Sequence, residues 1–151
     1  MIEVPVAVTY PLRERLLRHD REDLDLHMAD DDVPGAFHLA VLDPPSTPIG
    51  VASLVPTPPS FAVALPAWRL RQMAVHPDFQ HSGIGSVILN DAIARLRHLG
   101  AATLWAESRD TSLEFYVGHG MTPVPGRHHT TGTVSYTDVV LPLALLALPK
   151  P

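Results

Sequence analysis

Leu70-Arg71-Gln72-Met73-Ala74-Val75-His76-Pro77-Asp78-Phe79-Gln80-His81-Ser82-Gly83-Ile84-Gly85-Ser86-Val87-Ile88-Leu89-Asn90-Asp91-Ala92-Ile93-Ala94 joins two backbone periods through one short loop. Leu70 to Val75 has an apolar strand pattern, and His76-Pro77-Asp78 reads as a turn. From about Gly85 to Leu99 the apolar residues Ile88, Leu89, Ala92, Ile93, Leu96 and Leu99 recur at helical spacing, with Asn90, Asp91, Arg95, Arg97 and His98 on the other side. Gly100 follows as a C-terminal stop. A strand that ends in a glycine-bearing loop opening a helix forms a phosphate cradle. The first N–H groups of the helix have no intrahelical partner, and the helix dipole adds positive potential at the same point. Gly83 and Gly85 let the backbone approach a bulky anion and adopt angles closed to other residues.

The kind of cradle follows by comparison. A P-loop needs a lysine after its second glycine, and the only lysine of the chain is Lys150. A dinucleotide fingerprint needs a third glycine, where this chain has Ile88. What remains is Gln80-x-x-Gly83-x-Gly85 directly after Val75-His76-Pro77-Asp78. This run resembles motif A of the GNAT superfamily, the acetyl-CoA-dependent N-acyltransferases. Downstream, a strand is expected over 102–106, and the stretch from Ser108 to Met121 resembles motif B of that family. Phe115-Tyr116 and Gly120 match. Arg109 and Ser112 stand where asparagine and alanine are usual, and Met121 replaces a phenylalanine.

The resemblance spans most of the chain and is strongest over 70–121. It implies an α/β (α+β) fold: a single mixed, mostly antiparallel sheet of six to seven strands with helices on both faces, residues 1–151 forming one domain. It also implies transfer of the acetyl group of acetyl-CoA directly to a primary amine. In this reading Gln80, His81, Ser82, Gly83, Ile84, Gly85 and Ser86 hold the pyrophosphate of coenzyme A, with Arg109 and Ser112 at the motif B contact. The backbone of Met73, Ala74 and Val75 pairs with the pantetheine amides, and one N–H there polarises the thioester carbonyl. Tyr116 is the general acid. Glu107, expected at the end of the fifth strand, is the candidate base, with His128 and His129 in a loop before the last strand as alternatives. His76 reads as structural and Phe115 as core. The alternative is a fold that keeps acyl-CoA without turnover, as a sensor or partner subunit. A transferase of longer acyl groups or to a non-amine acceptor is a third reading.

Length and composition bound these readings. A chain of 151 residues, 46% hydrophobic and 18% charged, can bury a core and lacks a disordered signature. With no cysteine there is no disulfide, thiolate zinc site or thiol nucleophile, which suits a cytoplasmic protein. A net charge of −5 argues against nucleic-acid binding. No basic leader precedes an apolar run, and the apolar stretch Val139 to Pro149 is too short to span a bilayer, so no membrane role is expected. His27 with Asp30, Asp31 and Asp32, and the pair His128-His129, lack a third ligand at metal-site spacing, so no metal is expected. The acidic run reads as a solvated loop or, if it lines the pocket, as an attractor for a cationic amine.

The remaining chain reads as a strand over 2–8, weakened by Pro5, and a helix over 12–19 begun by Pro11. An irregular stretch with a short helical turn near 24–28 follows, then strands over 36–43, 49–55 and 68–75. The acceptor is expected to be a small-molecule or peptide amine. A homodimer could form through the apolar tail Leu141 to Leu148.

Overall fold

Alternation along two neighbouring strands sets the architecture. In β2 (Phe37–Asp43) and β3 (Thr47–Val55), Leu39 and Ala52 face one side, and Ala40 and Val51 face the other. All four are buried, so each side of the sheet needs a cover. The computed structural model describes residues 1–17 and 26–144 and supplies both. Helix α2 (Ile84–His98) lays Ile88, Leu89, Ala92, Ile93 and Leu96 onto Leu39, Ala52 and Leu54. Helix α1 (Tyr10–Leu17) lays Leu12 onto Ala40 and Val51. Each large aliphatic side chain so buried contributes roughly 1.5–3 kcal/mol.

The other elements are β1 (Ile2–Val4), β4 (Ala67–Val75), β5 (Thr103–Arg109), α3 (Leu113–Gly118), β6 (Thr122–Thr131) and β7 (Val134–Pro142). They form one seven-stranded sheet in the order β1-β2-β3-β4-β5-β7-β6. Every neighbouring pair is antiparallel except β4 and β5. The expected mixed, mostly antiparallel sheet with helices on both faces is therefore what forms. No helix among the described residues is long and apolar enough to cross a membrane.

Several boundaries differ from the sequence reading. The first strand stops at Val4, because Pro5 cannot donate to the ladder, and Val6–Thr9 turns as a 3-10 helix. Strand β3 starts earlier, at Thr47. Pro48 is tolerated there because pairing to β4 begins only at Gly50. Strand β5 runs on to Arg109 because β7 keeps pairing with it, Glu107 opposite Asp138 and Arg109 opposite Tyr136. Glu107 therefore lies within the strand, not at its end. His128 and His129 lie in β6, not in a loop, on an edge strand whose bulge between Pro123 and His128 hides its period. The end of the predicted first helix, the start of the turn near 24–28 and the tail beyond residue 144, with Lys150, fall outside the described residues.

Candidate active site

The loop between β4 and α2 begins with a 3-10 turn, Pro77–Phe79. His76 anchors it structurally: its N–H donates to the Ile49 carbonyl and its Nδ1 accepts from the Asp78 N–H. Gln80 Nε2 donates to the Val75 carbonyl at 3.0 Å, and Ser82 Oγ donates to the Phe79 carbonyl, so the loop is closed on itself. Gln80, His81, Ser82 and Gly83 remain exposed. Gly83 is the N-cap of α2 at φ +91°, with open space where a Cβ would sit. That angle is costly for other residues, so glycine is required by conformation and not by crowding. Gly85 is the opposite case: a Cβ there would lie 3.2 Å from the Phe115 ring.

No side-chain oxygen caps the start of α2. The first helical bond runs from the Val87 N–H to the Gly83 carbonyl, so the N–H groups of Ile84, Gly85 and Ser86 precede the ladder. An uncapped N-terminus in an exposed glycine loop is suited to an anion. Ser86 has a second attachment, since its Oγ lies 2.9 Å from His119 Nε2. The His119 Nδ1 is 2.7 Å from the Phe115 carbonyl, and its ring packs 4.5 Å from the Phe115 ring. His119 thereby ties α3 to the start of α2. His119 lies outside the matched motif residues, and its i+4 spacing from Phe115 is the signal the sequence carries for it.

Strands β4 and β5 pair only from Ala67 opposite Thr103 to Leu70 opposite Ala106. Beyond that point β4 follows β3 and β5 follows β7, so the sheet opens between them. The cause is a bulge in β4: Val51 opposes Ala74 and Ser53 opposes Arg71, leaving Gln72 and Met73 opposite Ala52 alone. Gln72 sits at φ +53°, a strained conformation at a cost of about 1–2 kcal/mol. The extra residue also inverts the side-chain alternation. Leu70, Met73 and Val75 pack on the α2 side, while Ala74 packs toward α1. From Arg71 to Val75 the edge of β4 that faces the opening has no partner strand among the described residues.

Tyr116 reaches into the same opening from α3. It is buried, and its Oη donates to Met73 Sδ at 3.9 Å. Burial pushes its hydroxyl up to about 12, with the Arg109 charge opposing the shift. Arg109 ends β5 and Ser112 is the N-cap of α3, without a side-chain cap bond. Met121 fills the core position of the missing phenylalanine and is buried.

Glu107 lies one residue past the last β4–β5 pair, on the face opposite α2. Arg69 Nη2 is 3.1 Å from its carboxylate, and His129 Nε2 is 3.8 Å away. Asp138, its register partner, is buried and bonded to Arg127 Nε at 2.9 Å. Burial, aided by the neighbouring Arg71, lowers the Arg69 pKa from its usual value. His128 is separated from His129: it turns to Asp110 at 3.0 Å.

The acidic run is not a solvated loop. The Asp31 side chain is buried and forms a two-pronged pair with Arg13 at 2.7 and 2.9 Å. Burial pushes its carboxyl up, but the Arg13 and Met28 N–H bonds outweigh this and leave it below the usual carboxylate range. Arg13 also bonds Ser53 Oγ, which bonds His38, whose pKa burial lowers. Asp30 contacts Arg71 and lies 3.7 Å from Arg69. Only Asp32 is largely exposed, paired with His27.

Residues 7–121 match the acetyltransferase (GNAT) family. A relative in Bacillus subtilis (strain 168), the uncharacterized N-acetyltransferase YitI, is 28% identical over 117 residues, 78% of each chain. The ribosomal-protein-S18-alanine N-acetyltransferase of Escherichia coli superposes with a TM-score of 0.72 at 19% identity, over 99% of this chain and 97% of that one. An aminoglycoside 6'-N-acetyltransferase complexed with coenzyme A superposes at 0.73 with 12% identity, over 100% and 99%. The two solved structures share the fold. Sheet, opening and family match together define an acyltransferase. The chain belongs to the GNAT acetyltransferase family, and its cofactor is acetyl-CoA.

Proposed function

We propose that this chain transfers the acetyl group of acetyl-CoA directly to a primary amine. The observation that carries the reading is one juxtaposition. The uncapped start of α2 lies beside an opening between β4 and β5 that receives the Tyr116 hydroxyl. The cofactor fits this chain on two counts: Gly83 leaves open space at the helix start, and β4 offers an unpaired backbone edge.

The N–H groups from His81 to Ser86 take the pyrophosphate, with Gln80 holding the loop closed. The free edge of Met73, Ala74 and Val75 pairs with the pantetheine amides, and one N–H there donates to the thioester carbonyl. Arg109 and Ser112 border the cofactor at the start of α3. Bound acetyl-CoA supplies an activated acyl group. Glu107 removes a proton from the acceptor amine, directly or through water, as the amine nitrogen bonds the carbonyl carbon. Tyr116 donates its proton to the departing sulfur. Its raised pKa keeps it protonated at neutral pH.

Residues 1–151 act as one domain in the cytoplasm, on a small-molecule or peptide amine, with a homodimer as the assembly. The lack of cysteine supports a reducing compartment. The test is calorimetry with acetyl-CoA and CoA, followed by an amine screen with wild type and Tyr116→Phe. Binding and turnover in wild type, with turnover lost and binding kept in the variant, support the enzyme. Binding without turnover on any amine supports the sensor. No binding removes both.

A further inference from the structure

Three strands bring Glu107, His129 and Asp138 together on the face that α2 does not cover. Glu107 and Asp138 are register partners on β5 and β7, and His129 comes from β6. One ligand atom from each lies within 4.8 Å of the other two. Asp138 is 1% exposed, yet uses only one carboxylate oxygen: Oδ2 accepts from Arg127, and Oδ1 has no partner among the described residues. A buried carboxylate oxygen without a donor is costly. Two carboxylates directly opposite on neighbouring strands also repel. Arg69 pairs with Glu107 and its charge also reaches Asp138, and Arg127 pairs with Asp138, but neither guanidinium pairs with both carboxylates. Asp138 Oδ1 is the acceptor left without a donor among the described residues.

We infer that Glu107, His129 and Asp138 form the cradle for the acceptor's ammonium group, an inference that rests on the acyl-transfer reading above. A primary ammonium offers three N–H donors, and the trio offers three acceptors. Acceptors about 2.8 Å from one nitrogen along tetrahedral directions lie about 4.6 Å apart, within the observed limit. A divalent transition metal would need ligands at about 2.0–2.2 Å, and both carboxylates already hold a guanidinium. The surroundings are aromatic. The His129 ring stacks on Tyr136 at 5.4 Å, Arg127 lies over Phe61, and Phe61 packs edge-on to Trp105. The ligand class is therefore a primary amine on an apolar or aromatic skeleton. Once it is seated, one ammonium proton passes through the Glu107 carboxylate to bulk water, leaving a neutral amine and an ionised Glu107 to take the second proton as the C–N bond forms. Asp138 and His129 are binding residues: Asp138 is new to the site, and His129 serves as a ligand and not as the alternative base.

The test uses the full chain with 2-phenylethylamine as acceptor and its N,N-dimethyl analogue, which has one N–H donor, as competitor. Wild type should acetylate the primary amine and bind the analogue at least about tenfold more weakly. Asp138→Asn, whose amide oxygen can still accept from Arg127, should raise the KM for the amine about tenfold or more. Its affinity for acetyl-CoA should not change. His129→Gln, a second variant should the first misfold, should act in the same direction. If wild type turns over amines while both variants keep the wild-type KM, the cradle is wrong and the acyl-transfer reading stands. Acetylation of spermidine but not 2-phenylethylamine overturns the apolar class. Calorimetric binding of zinc or manganese that Asp138→Asn abolishes would reassign the trio to a metal. Failure of wild type to bind acetyl-CoA overturns the underlying function itself.

Discussion

The two sides of the opening between β4 and β5 are built from different materials. On the α2 side the proposed cofactor contacts are backbone: the uncapped N–H groups after Gly83 and the free edge of β4 from Arg71 to Val75. On the other side the proposed acceptor contacts are side chains, Glu107, His129 and Asp138, gathered from three strands. A backbone site demands glycines at fixed spacing and tolerates many side chains around them. A side-chain site has no local spacing, because strand pairing assembles it. The first kind accommodates one cofactor across a family, and the second can vary with the acceptor.

The contrast can be broken first at Tyr116. Tyr116→Phe should lower kcat by about a hundredfold or more with acetyl-CoA affinity kept, as measured by steady-state kinetics beside calorimetry. A loss of affinity instead would make Tyr116 part of the cofactor wall. Glu107→Gln should lower kcat by about a hundredfold, again with acetyl-CoA affinity kept. Unchanged kcat would shift the base elsewhere.

The brace beneath the side-chain site gives a stability test. Arg13 and Asp31 hold the turn that carries Asp30, Asp30 contacts Arg69 and Arg71, and Arg69 contacts Glu107. Asp31→Asn leaves a buried guanidinium uncompensated and should cost about 3–5 kcal/mol in denaturant unfolding. The pH dependence follows from the shifts. The folded Asp31 carboxyl lies below its unfolded value, so its stabilisation is present above the usual carboxylate range and lost as pH falls through the folded value. His38 is also depressed, so the unfolded chain takes up that proton first, and stability falls as pH drops below about 6.5. His27, raised chiefly by its bond to Asp32, acts in the opposite sense from a more exposed position. Acid unfolding followed by circular dichroism should therefore begin earlier in wild type than in His38→Asn. Smallest is the alkaline effect: with Tyr116 near 12, kcat should show no loss from its ionisation up to about pH 10.

This difference in materials also explains what the sequence disclosed. The glycine pair, the helix stripe on Ile88 to Leu96 and the Phe115-Tyr116 match could be read directly, because each is a local pattern. The β4 bulge could not, since Gln72 at positive φ carries no glycine to announce it. The apolar signal of β5 stops short of the strand because Glu107, Ser108 and Arg109 break it, although β7 keeps them paired. Prolines and Gly126 disguised β6 as a loop, which scattered His129 from its neighbours. Asp31 looked solvated because its partner Arg13 is 18 residues away.

The most direct test of the account is calorimetric titration of acetyl-CoA into wild type and Gly83→Val. A β-branched residue at φ +91° should distort the loop and leave the core untouched, because nothing crowds that position. The account predicts micromolar binding in wild type and a loss of about tenfold or more in the variant, with Tm little changed. Equal affinity in the two proteins, or no binding in wild type, would contradict it.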